Sequence, residues 1–157
     1  MADGDASIPR DGLVDDTLDE HRTCMRVVTD LERFLATPAD TGGRWVEGLI
    51  ERLDRLCGTL KAHFEAEQNG PLFRKLPLSK PRLAERLARL EREHGEILEA
   101  GQSTRDRANG MQGGAETYQL HELNARVQLL IAKIQRHESE ENEIVLDAHW
   151  SDLGLGD

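Results

Sequence analysis

Four stretches of this chain carry apolar residues at alternating steps of three and four, the spacing that places side chains on one face of an α-helix. The stripes are Leu18, Cys24, Met25, Val28, Leu31 and Leu35; Leu49, Leu53, Leu56 and Leu60; Leu83, Leu87, Leu90 and Ile97; and Leu120, Leu123, Val127, Leu130 and Ile134. One such helix cannot bury its apolar face alone. Four of similar length, joined by short connections, predict an all-α fold, an antiparallel up-down-up-down four-helix bundle.

Turn-forming residues separate the stripes at 37–43, 69–71 and 109–114. We expect Asp16 or Thr17 to cap the first helix and Ser79 to cap the third, since both side-chain types accept hydrogen bonds from free N–H groups. The segment 72–78 is apolar enough to lie across one end of the bundle.

Gly4, Pro9 and Gly12 lie among acidic residues, which predicts a flexible N-terminal arm at 1–13. We expect the bundle at 14–150 and a C-terminal tail at 151–157. A length of 157 residues is ordinary for one domain.

The chain is acidic, with a formal net charge of −10 and no cluster of lysine and arginine. This charge argues against binding to nucleic acid or to a membrane surface, and it permits a monomer or a weak homo-oligomer. No apolar run approaches the length of a membrane span, and the first residues do not read as a signal peptide. Two cysteines do not make a disulfide framework, so a cytoplasmic protein is expected.

Each predicted helix aims one histidine at the core. The stripes continue to His21, His63, His94 and His137, and Glu67 and Glu141 follow the second and fourth histidines by one turn. A single His-x-x-x-Glu pair is usually an exposed ion pair. Here the pairs lie on the apolar stripe, where an unpaired carboxylate is costly to bury, and a metal ion is the simplest way to stabilise it.

The arrangement also repeats along the chain. His21 precedes His63 by 42 residues, His94 precedes His137 by 43, and the second histidine of each pair has a glutamate four places later. This repeat predicts two similar helical hairpins related by a pseudo-twofold axis, each supplying half of one site.

Four imidazoles and two carboxylates suit two metal ions better than one, because a glutamate can bridge two ions through its two oxygens. Iron fits nitrogen and oxygen ligands combined with redox activity. Manganese and zinc are the alternatives, although zinc rarely needs symmetric carboxylate bridges.

The ordered set of residues resembles the hemerythrin-like family of HHE cation-binding domains, in particular the bacterial subgroup with the pattern H…HxxxE…H…HxxxE. The matching residues are His21, His63 with Glu67, His94, and His137 with Glu141. The resemblance spans roughly residues 14 to 150. It implies a four-helix bundle that holds a non-haem di-iron centre.

The chain differs from the oxygen-carrying members of that family at two positions. Those members have a second histidine four residues after the third-helix histidine, where this chain has Leu98. They have an aspartate five residues after the fourth-helix histidine, where this chain has Asn142. One imidazole is therefore missing, which counts against reversible oxygen carriage.

Three functions remain open, in this order. The first is a di-iron protein that reacts with small oxidants, most plausibly by catalase-like decomposition of hydrogen peroxide. The second is a module that binds O₂ or NO reversibly, or senses iron or oxygen, without turnover. The third is a structural cluster of buried polar pairs without metal.

Other polar and aromatic residues receive simpler interpretations. His121 and His149 fall off the stripe and are expected at the surface or a helix end, and Tyr118 in core or rim packing. Cys24 is expected to be a small buried hydrophobe. An apolar wall beside the predicted ligands is expected from Met25, Leu60, Ile97 and Ile134, and Trp45 and Trp150 are expected to cap the core. The side chains expected to face solvent are Glu65, Glu138, Glu140 and Glu143. A local rotation of the fourth helix would let Glu140 replace Glu141 as a ligand.

Overall fold

Four long helices form the predicted up-down-up-down bundle. The computed structural model describes residues 10–152, with side chains described from 12 to 151. The elements are α1 (Arg10–Leu35), α2 (Arg44–Asn69), α3 (Pro71–Arg74), α4 (Leu76–Ser79), a 3₁₀ turn (Pro81–Leu83), α5 (Ala84–Asn109) and α6 (Thr117–Asp152). The main contacts run around a ring, α1 to α2, α2 to α5, α5 to α6 and α6 back to α1. Long helices that follow one another along the chain are therefore neighbours in space, and the predicted all-α bundle is confirmed.

The first helix begins earlier than predicted. It starts at Arg10, and not at Asp16 or Thr17, because Val14 still packs against a cluster of buried residues and extends the apolar face. Residues 1–9 of the expected arm and 153–157 of the expected tail lie outside the described residues. The remaining residues of those two segments continue α1 and α6.

The predicted linker between the second and third long helices folds into short helical turns. Leu72, Phe73 and Leu76 are buried there, as its apolar character predicts. The expected cap at Ser79 is wrong, because Ser79 ends α4 and the 3₁₀ turn at Pro81–Leu83 precedes α5. Pro81 begins this 3₁₀ turn, a position that proline tolerates because its φ is helical and the first N–H groups of a helix are unpaired anyway.

At the opposite end of the bundle, the loop between α1 and α2 touches the loop between α5 and α6. The N–H of Ala115 donates to the carbonyl of Thr41 at 3.3 Å. Gly43 and Gly114 have φ values of 96° and 130°, in the region that favours glycine. A Cβ on Gly114 would lie 2.6 Å from the Thr41 carbonyl oxygen, so the two loops approach closely only because that position is glycine.

The core consists of two apolar clusters, one at each end of the bundle. The larger one includes Leu60, Ile97 and Ile134. The smaller one includes Leu90 and Ile144 and is closed by the short turns after α2. In α1, α5 and α6, the predicted metal ligands lie between residues of the two clusters along the sequence. Within the described residues, no helix has the length and apolar character needed to cross a membrane.

Candidate metal centre

The four predicted histidines and both predicted glutamates meet in the middle of the bundle. Two groups of potential ligand atoms form there, each with all of its atoms within 4.8 Å of one another. The first group, which we call subsite A, contains His21, His63, Glu67, Glu138 and Glu141; the second, subsite B, contains Glu67, His94, His137 and Glu141. Each subsite thus takes one histidine from each of two helices, as the repeat in the sequence predicts.

Glu138 is the residue that the sequence interpretation missed. It was expected to face solvent, but its residue surface is 3% exposed and it belongs to subsite A. One carboxylate oxygen of Glu138 lies 2.8 Å from His21 Nε2 and the other lies 3.2 Å from His63 Nε2. A signal was present, because Ile134, Glu138, Glu141 and Val145 are separated by steps of four, three and four.

The other expected solvent-facing glutamates are outside the cluster. Glu65 and Glu143 are exposed, and Glu140 accepts a hydrogen bond from Arg89 at 2.9 Å on the surface. Glu141 itself is fully buried, so no local rotation of α6 places Glu140 in the site.

Glu67 and Glu141 each reach both subsites. Glu67 contacts His63 and lies 3.4 Å from His94 Nε2. Glu141 lies 2.9 Å from His21 Nε2 and 2.7 Å from His137 Nε2. These are the positions expected of carboxylates that bridge two ions.

The hydrogen bonding of the cluster fits bound cations. Both carboxylate oxygens of Glu67 and of Glu138 are buried and have no hydrogen bond of acceptable geometry, and neither do Nε2 of His63 and Nε2 of His137. Buried polar atoms without hydrogen bonds are costly. Several such atoms facing one another, all of them types that ligate iron, manganese or zinc, fit a metal centre and not a hydrogen-bonded polar core.

The outer nitrogens of three imidazoles are held by residues outside the cluster. His21 Nδ1 donates to Asn142 Oδ1 at 2.7 Å, and His137 Nδ1 donates to Glu93 at 3.0 Å. The side-chain amide of Gln68 lies 3.1 Å from His94 Nδ1. The two Nδ1–H donations to oxygen keep His21 and His137 in the orientation and tautomer that would present Nε2 to an ion. Asn142 therefore has a role here that differs from that of the ligating aspartate in oxygen carriers.

Without a bound ion, the carboxylates hold protons on the imidazoles. Burial alone lowers the pKa of His21, but contacts with Glu138, Glu141 and Glu67 outweigh it and raise that pKa to about 12. The same opposing effects raise the pKa of His63 to about 10 and of His137 to about 9. Burial raises the pKa of Glu67, yet its contacts with the histidines drive that pKa well below the usual range.

The two subsites have different surroundings. In subsite B, the Phe64 ring stacks on His94 with centroids 4.0 Å apart, and Phe73 meets His94 edge-on at 5.2 Å. A cleft of about 220 Å³ lies between α1 and the end of α2, and its lining includes exposed Glu20, buried Thr17 and buried Glu67. Small molecules can therefore reach Glu67 from the α1 side, while aromatic rings pack against His94 of subsite B.

The expected apolar wall is present. Leu60, Ile97 and Ile134 are fully buried, and Met25 packs partly buried against the same cluster. Cys24 is buried as expected, and burial raises the pKa of its thiol to about 12. It therefore acts as a small apolar residue beside the site and not as a thiolate ligand.

Three expectations for aromatic residues and histidines have mixed outcomes. Trp45 is buried and stacks on Phe34, so its predicted capping role is confirmed. Trp150 was expected to cap the core but is 50% exposed, and Tyr118 was expected to pack in the core or at its rim but is 69% exposed. Both lie near the ends of α6, where fewer neighbouring helices remain to cover them. His121 is exposed, His149 is half-buried near the end of α6, and neither joins the cluster.

The family model described as "Hemerythrin HHE cation binding domain" matches residues 12–148, nearly the whole of the described bundle. No curated protein and no solved structure is similar enough to match the chain.

Proposed function

Because this chain belongs to the hemerythrin family of HHE cation-binding domains, we propose that its centre holds two iron ions and decomposes hydrogen peroxide. The observation that carries this proposal is the meeting of four imidazoles and three buried carboxylates, one of which, Glu67, lines a cleft. Among the residues that the structure describes, no further group of histidine, cysteine, aspartate or glutamate side chains is close enough to hold a metal ion.

The donor set supports two ions, since two carboxylates span the subsites and each subsite adds two imidazoles. Mixed nitrogen and oxygen ligands suit iron, and manganese or zinc are the metals that such a set would also accept. Bound iron would supply the redox chemistry by which hydrogen peroxide is both oxidised to oxygen and reduced to water.

The protein's own residues provide access and shielding. The cleft beside Thr17 and Glu20 admits a molecule of the size of peroxide, O₂ or NO to Glu67. Phe64 and Phe73 exclude water from the other face, and the contacts from Asn142 and Glu93 keep the imidazoles in place. A small, uncharged ligand fits this route better than a large or anionic one, because the cleft and the chain are acidic.

The test is oxygen evolution from hydrogen peroxide by the iron-loaded protein, measured with an oxygen electrode. We expect sustained evolution by the wild type and a loss of most of it in His63→Ala. His121→Ala is the matched control, because His121 is an exposed histidine outside the cluster and its removal should leave the rate unchanged.

Background-level evolution by protein that is fully loaded with iron would refute peroxide decomposition. If that loaded protein instead shows a spectral change with O₂ or NO that reverses under vacuum, the non-catalytic binding or sensing function is the correct one.

A further inference from the structure

Glu138 is a carboxylate that the sequence pattern of the family does not include. The pattern that identifies the family here has a glutamate four residues after His137, and Glu141 fills it. Glu138 directly follows His137 and supplies a third carboxylate. Its side chain is 4% exposed, and neither of its oxygens has a hydrogen bond of acceptable geometry.

Glu138 belongs to one subsite only. Its oxygens approach the two histidines of subsite A, at 2.8 Å from His21 and 3.2 Å from His63. Glu138 is not one of the four residues of subsite B. In contrast, Glu67 and Glu141 belong to both groups.

We propose that Glu138 is a metal ligand of subsite A, and that it makes the two subsites unequal so that they fill in order, A before B. Subsite A offers two imidazoles and three carboxylates, while subsite B offers two imidazoles and the two shared carboxylates.

Charge gives the order of filling its physical reason. The first cation is attracted most strongly where three carboxylates face it, and one of those three, Glu67, lines the solvent-accessible cleft. Once that ion is bound, Glu67 and Glu141 are partly neutralised, so the second ion meets a less negative site enclosed by Phe64 and Phe73. The protein then supplies three negative charges against the four positive charges of two divalent ions.

The experiment is a calorimetric titration of the metal-free protein with Fe²⁺ without oxygen, paired with elemental analysis after dialysis. We expect two resolved binding steps in the wild type. Glu138→Gln should weaken the tighter step about tenfold or more, since even a residue that only supports a ligand changes metal affinity by that amount. Glu140→Gln, its neighbour on the surface of the same turn, is the control and should leave both steps unchanged.

Two further variants locate the effect. His63→Ala should weaken the same step as Glu138→Gln, and His94→Ala should weaken the other one. Circular dichroism of each metal-free variant checks that the bundle is folded. If Glu138→Gln does not fold, Glu138→Asp replaces it, since it keeps the charge but withdraws the oxygens by one methylene, and the tighter step should still weaken.

An isotherm of Glu138→Gln that superimposes on the wild type would overturn the proposal, and so would equal weakening of both steps, which indicates a general loss of charge. The inference rests on the metal centre of the proposed function but not on peroxide turnover. A loaded protein that fails to evolve oxygen would refute the latter and leave the titration result intact.

Discussion

At the scale of single residues, the contacts behind the ligands matter as much as the ligands. Glu93 accepts a hydrogen bond from His137 Nδ1 and is mostly buried, with a side chain 15% exposed. A carboxylate in that position fixes the orientation of the imidazole and increases its basicity. Because only one imidazole depends on Glu93, its removal should weaken the centre without dismantling it.

We predict that Glu93→Gln lowers the affinity for Fe²⁺ by about 10- to 100-fold, measured by competition with a chelator of known affinity. Glu96→Gln is the control, since Glu96 lies on the same helix, is exposed and pairs only with Lys133. Equal affinities in Glu93→Gln and the control would show that this hydrogen bond does not support the ligand.

The sequence predicted six of the seven side chains that meet in the cluster, because each of the six continues an apolar stripe, where a polar residue is costly to bury without a partner. Glu138 was missed because its neighbour His137 occupies the stripe and adjacent residues were assumed to diverge. The contact between Asn142 and His21 joins residues 121 positions apart. No local pattern in the sequence encodes it.

At the scale of helices and loops, the close approach of the two loops at one end of the bundle sets the register of the hairpins. We predict that Gly114→Ala lowers the free energy of unfolding by about 1–3 kcal/mol, because its φ of 130° and the nearby Thr41 carbonyl both oppose a Cβ. Urea unfolding followed by circular dichroism measures the change.

Gly58→Ala gives the opposite prediction and controls for adding a methyl group. Gly58 is exposed within α2 and a Cβ there meets nothing within 4 Å. Alanine should therefore raise the free energy of unfolding by about 0.5–1 kcal/mol. If both variants change stability in the same direction, the proposed loop contact is not what constrains position 114.

The ends of the helices illustrate what sequence patterns leave open. The breaks at 37–43 and 109–114 were predicted correctly, because glycine, proline and asparagine act locally there. The starts of α1 and α5 were predicted incorrectly. In both places the outcome depends on packing between elements, as with Val14 against the smaller core cluster, and capping residues alone do not decide it.

At the scale of the whole molecule, the cluster couples folding to pH when no metal is bound. An imidazole in the unfolded chain has a pKa near 6.5, whereas those of His137 and His63 are raised to about 9 and about 10 in the fold. A raised pKa stabilises the fold fully below about pH 6.5, and that contribution declines above it and is gone above the folded value. The lowered pKa of Glu67 acts at the acidic side: its contribution to stability declines as the pH falls below the ordinary pKa of 4.5 and is gone below the folded value.

We therefore predict that the metal-free protein unfolds at a lower temperature at about pH 9 than at about pH 6, measured by thermal unfolding with a chelator present. The iron-loaded protein should lack this decline, because metal binding requires unprotonated imidazoles and displaces their protons. A metal-free protein whose unfolding temperature rises over the same interval would show that the imidazoles are not held protonated by the carboxylates.

We propose that imidazoles from all four long helices and three buried carboxylates hold a pair of cations. Elemental analysis of the protein, after loading with Fe²⁺ and removal of loosely bound metal, counts these ions. We expect two ions for each folded chain. A correctly folded chain that retains one ion, or none, would refute the two-ion centre.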